Sequence, residues 1–259
     1  MAAPDVLNAA RFSVAPMMAW TDSLCRQFHR TLSRRTLLYT EMVTAPALVR
    51  GGAVHLLDHA PSEHPVAVQL GGSDPDMLRQ ATELCRAAGY HEINLNVGCP
   101  SDRVQSGAFG AALMGTPQVV RNCVAAMCTV SGVEVTVKCR IGIDDQTPQE
   151  TLPSFLEMVQ STSVRRVIIH ARKAWLQGLS PKDNRTIPPL DYPLVEQMAL
   201  DFPKLHLSIN GGVETIAAAQ AHLATQLQGV MVGRAAYHDP AGLLMTADSQ
   251  FFGAPDPHT

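Results

Sequence analysis

A cysteine stands where one apolar run of this sequence ends. In "EINLNVGCP" the run is followed by Gly98, Cys99 and Pro100, so a free thiol lies at the end of a predicted strand. Such a thiol is a buried apolar group, a nucleophile or a proton donor. An ordinary thiol has a pKa of about 8.5, so it is mostly protonated at neutral pH and suits general acid catalysis. The chain carries no Cys/His signature of a thiol protease, but the residues alone leave all three roles open.

Two glycine-bearing segments predict a phosphate site. Asn210, Gly211 and Gly212 follow the seventh apolar run of the chain, and Gly233 and Arg234 follow the eighth. Loops of this kind, followed by a short helix, offer backbone N–H groups to a phosphate. An arginine adds a positive charge and can donate two hydrogen bonds to the phosphate oxygens. Enzymes of sugar phosphates and of flavin mononucleotide (FMN) share this device. The alternative is a pair of ordinary tight turns.

Three further polar residues stand within or at the end of apolar runs. Lys138 ends "VEVTVK", so its ammonium must reach the end of the strand or be buried at high cost. A cation there would stabilise the negative charge that builds at the N1/O2 edge of a flavin on reduction. The alternative is a lysine that extends into solvent. His170 and Gln69, each taken alone, suit a structural hydrogen bond equally well.

These residues must be positioned by elements that alternate along the chain. Helix-like stretches separate most of the short strand-like runs, and several of them begin with Pro or follow Asp or Thr. Eight strands in alternation with helices predict an α/β fold of the (β/α)8 TIM barrel type, with the strand ends meeting at one mouth. An open doubly wound sheet is the alternative, but "APMMAWTD" stands where its GxGxxG would be expected. The eight runs are "RFSVAP", "TLLYTEM", "PVAVQLGG", "EINLNVG", "VEVTVK", "RRVIIHA", "LHLSING" and "GVMVG".

The composition predicts one globular domain. The chain has 259 residues, of which 46% are hydrophobic and 17% charged. Its six cysteines show no CxxC pair and no zinc-type spacing, so neither a metal site nor a disulfide framework is expected. The sequence has no targeting segment and no membrane span. We therefore expect a cytoplasmic monomer that binds neither a membrane nor a metal.

Basic residues cluster in two segments, although the net charge is −3. We interpret both clusters as solvated surface, with contact to a polyanion as the alternative. The first cluster is Arg26, Arg30, Arg34 and Arg35, and the second is Arg165, Arg166, Arg172, Lys173, Lys182 and Arg185.

The chain closely resembles the tRNA-dihydrouridine synthases, and in particular their A-type bacterial subfamily, from about Arg11 to Phe252. The strings that carry the resemblance are "FSVAPMMAWTD", "LLYTEMV", "HPVAVQLGGSDP", "YHEINLNVGCPSDRVQSGAFGAALM", "VTVKCRIGIDD", "IIHARKAWLQGLSPKDNRTIPPLDYP", "LSINGGVET" and "GVMVGRAAY". The resemblance implies a barrel that holds FMN, is reduced by NADPH and saturates the C5–C6 bond of uridines in the tRNA D-loop. A target uridine must then leave the tRNA fold to reach the flavin.

The resemblance also implies roles for individual residues. Cys99 would supply the proton to C5 as flavin hydride reaches C6. Asn96 would contact the base, and Lys182 and Arg185 in "SPKDNR" would contact tRNA. The residues implied to bind the flavin and its phosphate are Ala15, Pro16, Met17, Gln69, Lys138, His170, Asn210, Gly211, Gly212, Gly233 and Arg234.

The domain organisation is expected to be a tail at 1–10, an FMN-binding barrel at 11–253 and a tail at 254–259. Members of the family continue into a helical tRNA-binding domain, which we expect to be absent here. We expect this absence to leave poor activity on tRNA. One alternative is a barrel flavoenzyme of free pyrimidines, like dihydroorotate dehydrogenase, although this leaves "SPKDNR" unexplained. Another is a non-catalytic RNA-binding module, which would not require Cys99 or Lys138.

Overall fold

Eight parallel strands form the centre of the described part of the chain. The computed structural model describes residues 6–101 and 109–258, and of residues 6 and 7 only the backbone. The strands pair in the order β1-β8-β7-β6-β5-β4-β3-β2. This confirms the predicted (β/α)8 barrel, because each strand lies within or overlaps one of the eight predicted runs. The strands are β1 Phe12–Val14, β2 Leu38–Thr44, β3 Val66–Gly71, β4 Glu92–Val97, β5 Glu134–Arg140, β6 Arg166–His170, β7 His206–Asn210 and β8 Gly229–Val232.

The barrel closes where its first strand meets the last and the second. β1 pairs with β8 in the register Phe12↔Val230. On its other side, Val14 N donates to Leu37 O at 2.9 Å and Leu37 N donates to Phe12 O at 3.2 Å. Two backbone bonds thus complete the ring, and the C-terminal ends of all eight strands face the same mouth.

Helices follow most strands and cover the outside of the barrel. Side chains cap three of these helices: Asp74, Asp191 and Thr215 accept from Met77 N, Leu194 N and Ala218 N. The α-helices in the described ranges are Val6–Ala9, Ser23–Leu32, Ala45–Val49, Pro75–Ala87, Pro117–Cys128, Pro148–Gln160, Tyr192–Asp201, Ile216–Leu223, Arg234–His238, Pro240–Leu244 and Ala247–Phe252. Short 3-10 helices span Val54–Leu57, Pro61–Glu63, Gly110–Gly115 and Asp183–Arg185.

The alternation of side chains along the strands separates two environments. On β4 the polar residues Glu92, Asn94 and Asn96 face the barrel interior, where they bond to residues of β3 and β5. The apolar residues between them pack in the large core between the sheet and the helices. The strands therefore place a polar column inside the barrel, and the apolar core around it holds that column in position.

The first basic cluster is only partly solvated. Arg26 is buried and its Nε lies 2.5 Å from Glu63 Oε2. Arg30 donates to backbone carbonyls that include those of Thr36 and Pro65, each at 2.9 Å, and burial lowers its pKa to about 10. The expectation of a solvated surface is wrong for these two residues, because their partners come from distant segments of the chain. It holds for Arg34 and Arg35, which are exposed.

The second cluster is mixed as well. Arg165 is exposed and pairs with Glu134, but Arg166 is buried inside the barrel against Glu92. The solvated interpretation is therefore wrong for Arg166, because strand alternation turns that side chain inward while its neighbour faces outward.

The ends of the described chain pack on the barrel. Ala10 is buried, and Ser249 donates to Asp256 Oδ2 at 2.6 Å. Residues 1–5 and 259 of the predicted tails lie outside the described residues, as do residues 102–108 of the stretch that carries the resemblance. No helix in the described ranges is both long and apolar enough to cross a membrane.

Candidate active site

The turn that carries Cys99 is fixed from two sides. Asn96 Oδ1 accepts from Gly98 N at 3.1 Å and from Cys99 N at 3.0 Å, which holds the backbone as it leaves β4. On the other side, Arg140 Nε donates to Gly98 O at 3.1 Å. Cys99 is half-buried, and its Sγ lies 3.4 Å from Ser101 Oγ. The thiol thus stands at the mouth on a backbone that its neighbours hold rigidly.

Arg140 is a site residue for which no role was predicted from the sequence. Besides Gly98 O, its guanidinium donates from Nη1 to Lys173 O at 3.1 Å and to Asn184 O at 2.9 Å. Burial, chiefly, lowers its pKa to about 10, which leaves it charged at neutral pH. It ties the Cys99 turn to the long loop after β6. The sequence feature that could have indicated Arg140 as a site residue is its position at the end of β5, two residues after Lys138.

The five cysteines other than Cys99 have thiols that are poorly suited to chemistry. Burial raises the pKa of Cys25 and Cys128 to about 11 and that of Cys85, Cys123 and Cys139 to about 12. None of these five belongs to the Cys99 turn. The thiol available at the mouth is therefore that of Cys99.

Lys138 is a half-buried cation. Its Nζ donates to Asn210 Oδ1 at 2.9 Å, and Asn210 Nδ2 donates to Met231 O at 2.8 Å. Burial first, and then the charge of Arg140, lower the pKa of Lys138 to about 8. The ammonium is thus held by a side chain of the barrel instead of extending freely into solvent, and two of the predicted site residues, Lys138 and Asn210, lie in direct contact.

His170 packs against the glycine turn after β7. A Cβ on Gly211 would lie 2.5 Å from His170 Cδ2, and one on Gly212 would lie 2.6 Å from Tyr192 Oη. Both glycines also have positive φ, at 109° and 71°. A side chain is therefore disfavoured there both by steric contact and by the backbone conformation. Burial, followed by the charges of Arg140 and Lys138, holds the pKa of His170 well below its usual value. His170 is therefore a neutral hydrogen-bonding group.

The loops after β1 and β8 lie side by side. Ala15 N donates to Val232 O at 2.8 Å, which places Ala15, Pro16 and Met17 next to the segment that begins with Gly233. Met17 N is held by Thr21 Oγ1 at 2.9 Å.

On the other side of that segment, Arg234 Nη2 lies 3.4 Å from Arg185 O, so the long loop after β6 reaches the last strand. Lys182 is exposed in the same loop.

Gln69 and Asn96 are in contact within the barrel. Asn96 Nδ2 donates to Gln69 Oε1 at 2.8 Å, and both side chains are buried. Contacts thus join the predicted site residues in four groups: Gln69 with Asn96 and the Cys99 turn, Lys138 with Asn210, His170 with Gly211, and Arg185 with Arg234.

The mouth has opposite charges on its two sides. A cavity of about 650 Å³ opens beside Cys99 toward the ends of β2 and β3, and Met42 and Phe109 line it. Four acidic residues line this cavity, namely Asp22, Glu41, Asp58 and Asp74, whereas its one basic lining residue, Arg26, is neutralised by its pair with Glu63. The ends of β5 to β8 carry the basic residues Lys138, Arg140, Arg172, Arg185 and Arg234. A phosphate is therefore attracted to the second side, and an uncharged ring fits the first.

Within the described ranges, no three His, Cys, Asp or Glu side chains lie close enough together to hold a metal ion.

A closed parallel barrel with ionisable residues gathered at its C-terminal mouth defines the class of (β/α)8-barrel enzymes. Residues 13–257 match the family described as Dihydrouridine synthase (Dus). The chain is 57% identical to the tRNA-dihydrouridine(20/20a) synthase of Shigella flexneri, over 97% of this chain and 74% of the relative. It is 54% identical to the enzyme of that name from Vibrio cholerae, over 96% of this chain and 76% of the relative. The chain therefore belongs to the dihydrouridine synthase family.

A solved structure supports the fold independently. The crystal structure of TcOYE with pHBA has a TM-score of 0.62 and 9% sequence identity to this chain, and the match covers 93% of this chain and 92% of that one. At this identity the similarity speaks for the barrel alone.

Proposed function

We propose that this chain reduces the C5–C6 bond of uridines in tRNA to give 5,6-dihydrouridine, with FMN at the barrel mouth and NADPH as the reductant. One observation carries the proposal: a half-buried thiol on a fixed turn, Cys99, shares the mouth with a half-buried ammonium, Lys138. Membership of the dihydrouridine synthase family and the names of the relatives support the same chemistry. We place the reaction in the cytoplasm.

The residues of the mouth fit FMN. Gly211 and Gly212 leave no room for a side chain, which suits the close approach of a phosphate to the backbone. A Cβ on Gly233 would meet no atom within 4 Å, so there is space in front of that turn as well. Arg234 supplies a charge for the phosphate, and Lys138 supplies one for the N1/O2 edge of the isoalloxazine.

When bound, FMN reduced by NADPH would supply a hydride for C6 of the uracil ring. Cys99 donates its Sγ proton to C5, so the two hydrogens that saturate the double bond come from different sources. Asn96 and Arg140 hold the Cys99 turn during this transfer, because both bond to its backbone. Lys138 stabilises negative charge, and neutral His170 offers a hydrogen bond without adding a further cation.

The charge difference across the mouth supports an orientation for the substrate. The uracil ring is uncharged and takes the side beside Cys99 and the cavity, whereas phosphate groups take the basic side. The exposed Lys182 and the nearby Arg185 then lie where the backbone of the tRNA leaves the site. The names of the relatives give positions 20 and 20a, and we propose those uridines of the D-loop as the targets.

The test combines three measurements on the purified protein. A flavin spectrum, either as purified or after addition of FMN, is the first requirement. NADPH oxidation is then followed with and without tRNA that lacks modification, and the dihydrouridine formed is mapped by mass spectrometry of nuclease fragments. A protein that takes up no FMN, or that forms no dihydrouridine at any position, would overturn the proposal.

A further inference from the structure

A continuous line of hydrogen bonds runs along the barrel interior from its lower part to the Cys99 turn. Each bond joins side chains on neighbouring strands and has a donor–acceptor distance of 2.8 to 2.9 Å. All the side chains that form it are buried, so water does not compete for their polar atoms. We call this set the polar relay; it consists, in order, of Glu92, Thr136, Asn94, Gln69 and Asn96.

The lower end of the polar relay accepts hydrogen bonds. Glu92 pairs with the guanidinium of Arg166, and the hydroxyl of Tyr39 also donates to it, so Glu92 Oε1 is an acceptor. Thr136 must therefore use its single proton on Glu92 Oε1, at 2.9 Å. The remaining lone pairs of Thr136 Oγ1 can only accept, and Asn94 Nδ2 donates to this oxygen at 2.9 Å.

The upper end fixes the same direction independently. Gly98 N and Cys99 N are backbone donors, so the atom of Asn96 that meets both must be Oδ1. Its Nδ2 then faces Gln69 Oε1 at 2.8 Å, and Gln69 Nε2 faces Asn94 Oδ1 at 2.8 Å. A reversed amide at any step would set donor against donor or acceptor against acceptor. Both ends thus agree on a single orientation for all three amides.

We infer that the polar relay makes Gln69 and Asn96 hydrogen-bond donors toward the mouth, and that Thr136 is the positioning residue that anchors its lower end on Glu92. Asn96 Oδ1 accepts two bonds and Gln69 Oε1 accepts one, whereas each amide nitrogen has used one N–H, so the second N–H of each is the donor that remains for a bound molecule. Those protons suit the carbonyl oxygens of an isoalloxazine or a uracil. For these two ligands the inference rests on the proposed function, but the direction of the polar relay does not.

The variant that tests the inference is Thr136→Val, which keeps the shape of the side chain and removes the hydroxyl. Thr136→Ser restores the hydroxyl, and Thr82→Val is the matched control. Thr82 is also fully buried, but its hydroxyl bonds to Leu78 O within the outer helix Pro75–Ala87. With FMN as the probe, Thr136→Val should weaken binding and slow dihydrouridine formation by about two- to tenfold, as expected for one lost neutral hydrogen bond.

Three outcomes of this series are informative. A shifted visible spectrum of bound FMN in Thr136→Val, its return in Thr136→Ser and no shift in Thr82→Val support the inference. A Thr136→Val protein whose spectrum and FMN affinity equal those of the wild type would overturn it. So would a defect that the serine variant does not repair, because that defect would come from packing.

A second measurement needs neither a variant nor a flavin. Neutron diffraction from deuterated crystals of the wild-type protein locates the deuterons of the three amides and of the Thr136 hydroxyl. We expect deuterium on Asn94 Nδ2 facing Thr136 and on Gln69 Nε2 facing Asn94. One reversed amide would overturn the inference while leaving the proposed function untouched, and failure to bind FMN would do the opposite.

Discussion

Lys138 Nζ lies 2.9 Å from Asn210 Oδ1, so an amide of β7 holds the cation of β5 across the strand that separates them. The partner is a neutral oxygen, which satisfies one proton of the ammonium but does not offset the burial of its charge. The pKa of Lys138 accordingly falls to about 8. A group needed as a cation is thus held near its titration point.

Lys138 should make the stability of the flavin-free protein depend on pH. Its pKa is about 8 in the folded chain and 10.5 in the reference state, so the unfolded chain binds more protons between these values. The free energy of unfolding should therefore rise with pH from about 8 to about 10.5, by up to roughly 3 kcal/mol. Urea unfolding at several pH values should show this rise in the wild type and not in Lys138→Met. An equal rise in both proteins would contradict the assignment.

Replacing Cys99 should separate proton donation from flavin chemistry. Cys99→Ala should bind FMN and accept electrons from NADPH as the wild type does, yet form dihydrouridine about 10²- to 10⁴-fold more slowly, the usual loss of a general acid. Stopped-flow absorbance follows the flavin, and mass spectrometry follows the product. Cys128→Ala, on the outer helix Pro117–Cys128, is the control and should leave both rates unchanged. Loss of the flavin from Cys99→Ala would instead assign the cysteine a packing role.

Arg234→Ala should weaken FMN binding. Loss of a hydrogen bond between a guanidinium and a phosphate costs about 1.5–3 kcal/mol, which is roughly 10- to 150-fold in the dissociation constant. Fluorescence titration with FMN measures the effect, and riboflavin, which lacks the phosphate, should not discriminate between the two proteins. Arg121→Ala, an exposed arginine of an outer helix, is the matched control. Equal losses with FMN and with riboflavin would place Arg234 away from the phosphate.

Lys182→Ala and Arg185→Ala should each reduce the affinity for tRNA and its salt dependence. A lost phosphate contact lowers the slope of log K against log salt by about one unit, while the sequence preference is unchanged. The pKa of Arg185 is lowered by desolvation and by the charge of Arg234, so these two arginines share one basic surface. Filter binding at several salt concentrations measures the slope, with Arg121→Ala as the control. Unchanged slopes would move the tRNA surface elsewhere on the barrel.

Glu63→Gln should destabilise the fold strongly. The carboxylate pairs with Arg26 at 2.5 Å and accepts from Ser23 Oγ at 2.6 Å, and its side chain is fully buried. Removing its charge leaves that of Arg26 buried without a counter-charge, which costs about 3–5 kcal/mol. Glu83→Gln breaks an exposed pair with Arg79 instead and should cost less than about 1 kcal/mol. Equal losses of stability in urea would show that burial does not decide the difference.

The sequence predicts most of the architecture because strand spacing and helix caps are local signals. In "EINLNV" the alternation already separates the polar column of Asn94 and Asn96 from the apolar core, and Asp74 marks the start of its helix. Arg26 and Arg30 could not be placed in this way. Their spacing suits an exposed helix face equally well, and the partners that bury them, Glu63 and Pro65, are more than thirty positions away.

Part of the site was equally invisible in the sequence. Their positions at strand ends indicate Lys138 and Asn210 as separate site residues. Their contact depends on the curvature of the barrel, which brings the side chains of β5 and β7 together across β6. Arg140 was visible as a strand-end residue, and only its three carbonyl partners show that it supports the Cys99 turn. Residue type thus indicates which chemistry is available, whereas register and closure decide which groups meet.

The pairing of β1 with β8 also governs how this chain is made on the ribosome. Phe12 leaves the ribosome 218 residues before its strand partner Val230 (230 − 12). At usual rates of synthesis, of about 5–20 residues per second, β1 waits on the order of 10 to 40 seconds for that partner. Until then the nascent sheet is an open ribbon with unpaired edges, which holdase chaperones recognise. The final ring forms late, so translation speed and chaperone supply should affect the yield of this enzyme more than changes on its outer surface.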